Sequence, residues 1–358
     1  MRILYLSDFR PLPTKQVRTE EYVADGFEAL GHELIRFQIG PYRERERIGE
    51  LNPDLILLNH SRDMPRHWIR ALPAENPRAL VVQWIFDYLR DPGLEKKWFL
   101  PRGRAWHLSF LKDRERFAHY QSLGIECHWL HQGAPPGLGF ATQTDPAHMC
   151  EIAFLGNPRR HHPFRIEVLR RLVAEGFNLH IYTNPIYFRS WRRLGLPREN
   201  LFPNLHDADM APVCASARIV LGVGCYEDEW EGFWSSRPYL TMAMGGFFVT
   251  QYVKGMEEHF ENGRHLLWWH DPDECVSLVR EYLDRPQERE RIRREGSDHV
   301  YRHHTYRQRC GELAAICEER LERLRAGEVP PLAEPVERSP WLHPISALRR
   351  KLGGTGSS

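Results

Sequence analysis

The sequence contains seven cysteines, an odd number, scattered along the chain with no Cys-x-x-Cys pair. That argues against a disulfide framework and a cysteine-based zinc site, and for buried, reduced thiols in a cytoplasmic protein. The opening MRILYLSDFRPL has neither a basic lead nor a long apolar core, so no signal peptide is expected. No apolar run approaches the roughly 20 residues that span a bilayer. An excess of one charge is missing too. The formal net charge is +1, which gives no argument for a specific nucleic-acid partner. Lysine is scarce, and the basic residues are overwhelmingly arginine. Arginine suits bidentate phosphate or carboxylate contacts, and its dominance equally follows from base composition or growth temperature.

Two nucleotide-binding signatures are also absent. No Gly-x-Gly-x-x-Gly follows the first strand pattern, and there is no Gly-x-x-x-x-Gly-Lys-Ser/Thr. The adjacent histidine pairs 161–162 and 303–304 lack the i,i+4 spacing that puts two ligands on one helical face. Asp207-Ala208-Asp209 and Asp271-Pro272-Asp273 resemble paired-carboxylate metal motifs, but both stand where a helix starts and capping explains them. No metal and no cofactor are expected.

What the chain does have is alternation. Buried strand patterns at Ile3–Leu6, Glu33–Gln38, Leu55–Asn59, Ala79–Phe86, Trp106–Leu111 and Cys127–His131 are separated by helical or loop segments. A helix capped by Thr19 is expected up to Leu30, and another over 113–123. Strands at this spacing form a parallel sheet with right-handed crossovers. The segment 133–148, with Pro, Gly and Thr but no apolar period, reads as a linker. A second series follows: strands Glu151–Leu155, Leu179–Tyr182, Ile219–Val223 and Phe247–Gln251, with helices between them and long helices after Asp271. The expected fold class is α/β: two Rossmann-like domains facing a central cleft. The expected division is residues 1–135, a linker 136–149, a second domain 150–304, a C-terminal helix 305–327 that crosses back to the first domain, and a partly disordered tail 328–358. In that tail Trp341, Ile345, Leu348 and Leu352 share a helical face beside Arg349, Arg350 and Lys351. Such a segment fits weak peripheral contact with an anionic membrane, docking on its own protein, or a loose end.

Open parallel sheets bind ligands beyond the carboxyl ends of their strands, so the site residues are sought there. Gly156 and Asn157 follow a strand and precede a helix, a place where backbone N–H groups meet anions, and Arg159 and Arg160 add positive charge nearby. Ser235, Ser236 and Arg237 begin a small-residue helix that stops at Gly245-Gly246; hydroxyls and a guanidinium there suit a diphosphate. Each group also reads as an ordinary turn or cap. Asp87 ends the fourth strand pattern and His60 the third, positions from which either orients or deprotonates an acceptor hydroxyl, or simply caps a turn.

The C-terminal half resembles the GT-B glycosyltransferases, specifically the spore-maturation CgeB-like group related to family-4 glycosyltransferases. The resemblance rests on Arg237, Gly245-Gly246-Phe247, Gly255-Met256-Glu257-Glu258-His259-Phe260, Gly263, Asp271-Pro272-Asp273-Glu274 and His304-Thr305-Tyr306. Leu155-Gly156-Asn157 and Trp84 with Phe86-Asp87 extend it weakly toward the N-terminus. It implies transfer of a sugar from a UDP- or GDP-linked donor, held mainly by the second domain, to an unidentified glycan, lipid or protein acceptor, without a bound metal. Family-4 enzymes carry Glu, seven residues, Glu. Here Glu231 is followed by one extra residue, and Leu240 stands in the second position. The resemblance then implies that Glu257 or Glu258 replaces that acid on the donor ribose. The missing pair also keeps open a non-catalytic GT-B shell that binds a partner or assembly.

Overall fold

A computed structural model describes residues 1–11, 17–39, 47–59, 64–89, 94–158, 163–205, 207–224, 230–328 and 332. The strands of these residues form two six-stranded sheets. In the first, β1 (Arg2–Ser7), β2 (Glu33–Gln38), β3 (Leu55–Leu58), β4 (Leu80–Trp84), β5 (Leu108–Leu111) and β6 (Cys127–Trp129) run in the order β2-β1-β3-β4-β5-β6. In the second, β7 (Cys150–Leu155), β8 (Leu179–Thr183), β9 (Leu201–Pro203), β10 (Ala217–Gly222), β11 (Phe248–Gln251) and β12 (Leu267–Trp269) run β12-β11-β10-β7-β8-β9. Every pairing is parallel. β3, β4, β5 and β11 are buried along their whole length, which is why β3 reads as an unbroken apolar run and the others carry buried Gln83, Ser109, Thr250 and Gln251 rather than a clean alternation.

Among the described residues, eleven α-helices lie in the connections: α1 (Thr19–Glu28), α2 (Arg47–Glu50), α3 (Arg66–Glu75), α4 (Phe117–Ser122), α5 (Pro163–Ala174), α6 (Phe188–Arg193), α7 (Ala211–Ser216), α8 (Arg237–Ala243), α9 (Pro272–Leu283), α10 (Pro286–His303) and α11 (Tyr306–Arg325). Each sheet carries a core on either face. One face of the first sheet packs Ile3, Tyr5, Leu57 and Phe110 against Val23 and Phe27 of α1 and Tyr306, Cys310, Leu313, Cys317 and Leu321 of α11. The last helix therefore completes the core of the first sheet. The six cysteines among the described residues are all buried and unpaired, and no helix among these residues is long and apolar enough to cross a membrane.

The chain passes between the sheets twice, at one place. The Ala134 N–H donates to the His304 carbonyl at 2.8 Å, and the Tyr306 N–H donates to the Ala134 carbonyl at 3.1 Å. Gly133 is needed there because a Cβ would stand 2.4 Å from the Thr305 carbonyl carbon. Thr305 and Gln308 then close a capping box that starts α11.

Several local expectations change. Helix α1 begins at Thr19 itself, with Arg18 at the cap position and no side-chain cap bond. The helix expected over 113–123 is confined to Phe117–Ser122, because the residues before it turn toward the second sheet. The two outer strands β9 and β12 are only three residues long, too short to show a period. Asp271 does cap α9, accepting from the Glu274 N–H at 2.9 Å, with Pro272 in the first turn. All but one of the tail residues after Glu328, including the amphipathic stretch from Trp341, lie outside the described residues.

Candidate functional site

In the second sheet β7 pairs with both β10 and β8, so the strand order reverses beside β7. A crevice opens at such a point beyond the carboxyl ends. The carboxyl ends of β4, β5 and β6 in the first sheet face it, and the two walls enclose a cavity of about 440 Å³. Phe86, Asp87 and Tyr88 follow β4, Lys112 follows β5, and Gln132 follows β6. From the other wall come Gly156 and Asn157 after β7, Gly222 and Val223 at the end of β10, and the run Phe233–Pro238 at the start of α8. Phe248, Thr250 and Gln251 of β11 complete it. Gly222 is required by crowding: a Cβ there would lie 2.4 Å from the Thr250 hydroxyl and 2.5 Å from the Phe248 ring.

The structure thus brings Asp87, Gly156, Asn157, Ser235, Ser236 and Arg237 to one cavity. His60, Arg159 and Arg160 lie outside the described residues. The anion-binding turn expected at Gly156 is changed by its own geometry. The Gly156 N–H donates to the Tyr182 carbonyl at 3.0 Å, as part of the approach to β8. The Asn157 side-chain oxygen accepts from the Thr183 hydroxyl at 3.0 Å and from the Asn184 N–H at 3.2 Å. Arg165 of α5 fastens the same turn to β10, donating to the Asn157 carbonyl at 3.0 Å and to the Val223 carbonyl at 2.9 and 3.1 Å. Of the two amides expected to meet an anion, that of Gly156 is spent within the sheet.

Arg237 is half-buried, and its backbone N–H lies 3.4 Å from the Ser235 hydroxyl that accepts from it. Helix α8 spans only seven residues, and Ser236 at its cap makes no side-chain cap bond. The polar chemistry here therefore resides in the Ser235, Ser236 and Arg237 side chains.

Glu257 and Glu258 do not line the cavity. Glu257 accepts from the Tyr252 hydroxyl and from the Gly255 N–H, each at 3.0 Å. Glu258 forms a bidentate pair with Arg114 of the first wall. Glu231 joins this network, 2.8 Å from the Arg114 Nε and 2.7 Å from the Lys254 Nζ. Arg114 in turn lies over the Trp129 ring, 4.3 Å from its centroid. Leu240, at the position where family-4 enzymes carry their second acid, is buried among apolar side chains.

Sequence reasoning missed Lys112 and Gln132. Lys112 is 3% exposed, its Nζ lies 3.3 Å from the Gln132 side-chain oxygen, and it sits 4.5 Å above the centre of the Phe233 ring. Burial lowers the Lys112 ammonium to about 8, against the opposing pull of Asp87 and Asp113. Asp113 is more deeply placed; burial and then Glu115 raise its carboxyl to about 8. The rule that singled out Asp87, a polar residue at the carboxyl end of a buried strand, applies equally to Lys112. A ring panel closes one side: Tyr88 stacks on Trp230 at 3.9 Å, and Phe233 lies 4.8 Å from Tyr88.

Behind Trp234 lies a histidine layer in which His131 and His304 are buried and His259 and His299 half-buried. His131 stacks on Trp234 at 3.9 Å and holds the Gly232 carbonyl at 2.6 Å. His259 meets the Tyr239 hydroxyl at 2.9 Å, and its carbonyl takes His299 at 2.7 Å and His304 at 3.1 Å. Among the described residues no group of His, Cys, Asp and Glu is placed to hold a metal ion.

Comparison with known proteins agrees with this architecture. A family model described as glycosyl transferase-like matches residues 159–315. Curated proteins give no match by sequence. Among solved structures, Alr3699/HepE of Anabaena, in complex with UDP and glucose, superposes with a TM-score of 0.63 at 12% identity, over 89% of this chain and 100% of that one. Sucrose-phosphate synthase from Thermosynechococcus elongatus gives 0.64 at 12% identity, over 90% and 99%. A glycosyltransferase from Rickettsia africae gives 0.61 at 11% identity, over 90% and 98%. At these identities the likeness establishes the fold, the two-sheet α/β arrangement of GT-B glycosyltransferases.

Proposed function

We propose that the chain is a glycosyltransferase of hexosyltransferase type, moving a sugar from a UDP- or GDP-linked donor to an acceptor hydroxyl without a bound metal. The observation that carries the reading is that Asp87 from one sheet and Ser235, Ser236 and Arg237 from the other line a single cavity of about 440 Å³. A carboxylate opposite a guanidinium and two hydroxyls is what sugar transfer needs: a proton acceptor on one wall and anion donors on the other. The match of a glycosyl transferase-like family model to residues 159–315 supports it. So does the solved complex of Anabaena HepE with UDP-glucose, which has the same fold.

In this reading the second sheet holds the donor and the first the acceptor. The bond between the sugar C1 and the diphosphate oxygen breaks, and its electron pair stays on that oxygen beside Arg237. The acceptor oxygen bonds to C1, and its proton passes to Asp87. Hydrogen bonds aimed at a charge that grows in the transition state typically contribute about 10²–10³ in rate each. Buried, unpaired thiols suit a reducing cytoplasm.

The direct test is calorimetric titration with UDP, GDP, ADP and TDP, followed by transfer and hydrolysis assays over a panel of nucleotide sugars. Tight binding of one diphosphate, with turnover of a sugar on that base, is the expected result. Absence of binding and of turnover across the panel would instead favour a shell that binds a partner.

A further inference from the structure

We propose that Lys112 is a second cation of the leaving-diphosphate site, supplied by the wall opposite Arg237, so that the leaving group is held from both sheets. This rests on the transferase reading and adds to it a residue from the other domain.

The placement is specific. Lys112 is the first residue after β5, and its backbone is fixed because the Trp129 indole N–H donates to its carbonyl at 2.6 Å. The side chain is 3% exposed, yet it lines the cavity. Its Nζ has three donors; Gln132 accepts one at 3.3 Å, and the face of Phe233 receives the charge at 4.5 Å. Phe233 lies two residues before Ser235 on the run that carries Ser235, Ser236 and Arg237. The ammonium therefore reaches across the cleft to the donor wall rather than lying along its own sheet.

A charge taken out of water needs a strong partner. Gln132 is neutral. Asp113, whose carboxyl burial and then Glu115 raise to about 8, is only a weak counter-charge near pH 7. Asp87 is the anion that opposes the lysine within the cavity. In a chain whose basic residues are overwhelmingly arginine, a buried lysine here supplies a compact charge that turns its remaining donors toward an anion. The diphosphate gains negative charge as its bond to the sugar breaks. An ammonium on the opposite wall from Arg237 stabilises that charge.

The experiment titrates UDP and GDP, without acceptor, into the full-length wild type and into Lys112→Met. Thermal unfolding checks the fold, and the Met variant is expected to keep or raise the melting temperature because a buried charge is removed. The wild type is expected to bind one diphosphate, and Lys112→Met to bind it ten- to a hundredfold more weakly. A second measurement needs no variant. Wild-type affinity is expected to weaken between pH 7.5 and 9 as Lys112 loses its proton in a setting of Asp87, Asp113, His131 and Arg237. Diphosphate binding that is equal in wild type and Lys112→Met, or wild-type affinity that stays flat over this range, overturns the assignment while leaving the transferase reading intact. A wild type that binds neither diphosphate overturns both.

Discussion

Arg114 and Glu231 are 117 residues apart in sequence, and the guanidinium Nε of one lies 2.8 Å from the carboxylate of the other. They join the loop after β5 to the segment that opens the second wall of the cleft. The backbone repeats the connection: the Arg114 N–H donates to the Glu231 carbonyl at 3.2 Å, and the Glu231 N–H donates to Glu115 at 3.1 Å. The stretch leading into Ser235, Ser236 and Arg237 is thus docked on the first sheet although it belongs in sequence to the second. Both side chains are about a quarter exposed, so the pair lies between a surface and a buried bridge. A double-mutant cycle with Arg114→Ala and Glu231→Gln should return a coupling of about 0.5–1.5 kcal/mol by urea denaturation. Strictly additive effects would mean that the two walls are not held together here.

Gly232 makes the same connection through its backbone. Its φ is +79°, a region that favours glycine, and a Cβ would lie 2.7 Å from the Trp129 indole nitrogen and 2.9 Å from the Lys112 carbonyl. Gly232→Ala should destabilise the protein by about 2–4 kcal/mol, combining backbone strain with a clash against a fixed indole and carbonyl. Because Ser235 to Arg237 follow directly, diphosphate affinity should fall in the same variant. A variant with unchanged denaturation midpoint and unchanged binding would refute both effects.

These relationships also show where the sequence was legible. Strands with four or more buried residues, such as Leu55–Leu58 and Leu80–Trp84, announce themselves by apolar content alone, and the Asp271 cap follows from residue chemistry. The position of Asp87, Ser235 and Arg237 in one cleft followed from the rule that parallel sheets bind at strand carboxyl ends. The failures share a physical cause, which is long-range partnership. Glu258 looks like a free acid beside Glu257 until Arg114, 144 residues away, takes it. Gly156 looks like an anion turn until its N–H is seen on Tyr182. No local pattern encodes such partners, so motif chemistry there was displaced by tertiary hydrogen bonding.

The histidine layer behind Trp234 predicts an acid-labile fold. Burial is the largest cause in each case. It lowers His259 to about 3, His304 to about 2 and His265, which stacks on His299 at 3.8 Å, to about 4, pushes His131 well below its ordinary value, and lowers His299 as well. In the unfolded chain these groups titrate near 6.5. Between the folded and unfolded values the unfolded state binds more protons, so stability is fully present above about 6.5 and falls as the pH drops through that value. His259 and His304 alone should remove about 3 kcal/mol between pH 7.5 and 5.5. Urea denaturation at the two pH values measures this directly, and equal stability at both would show that the layer is not buried neutral. His304→Phe should flatten the dependence.

Asp87 is the sharpest test of the chemistry, because the proposed roles on the two walls separate kinetically. Asp87→Asn keeps the shape of the side chain and removes its ability to take a proton. Turnover should fall by about 10²–10⁴, the usual contribution of a positioned general base. Diphosphate affinity should stay within a few-fold, since the carboxylate belongs to the acceptor wall. Arg237→Ala should do the reverse at the binding step, weakening the diphosphate ten- to a hundredfold, or about 1.4–2.7 kcal/mol. Asp87 is exposed at the mouth of its strand and contributes little to the core, so neither result can be ascribed to unfolding once melting temperatures agree. If Asp87→Asn kept full turnover, the proton would have to leave by another route, and the acceptor wall would need a different base. If it lost diphosphate binding instead, Asp87 would be a donor residue, and the division of labour between the two sheets would have to be redrawn.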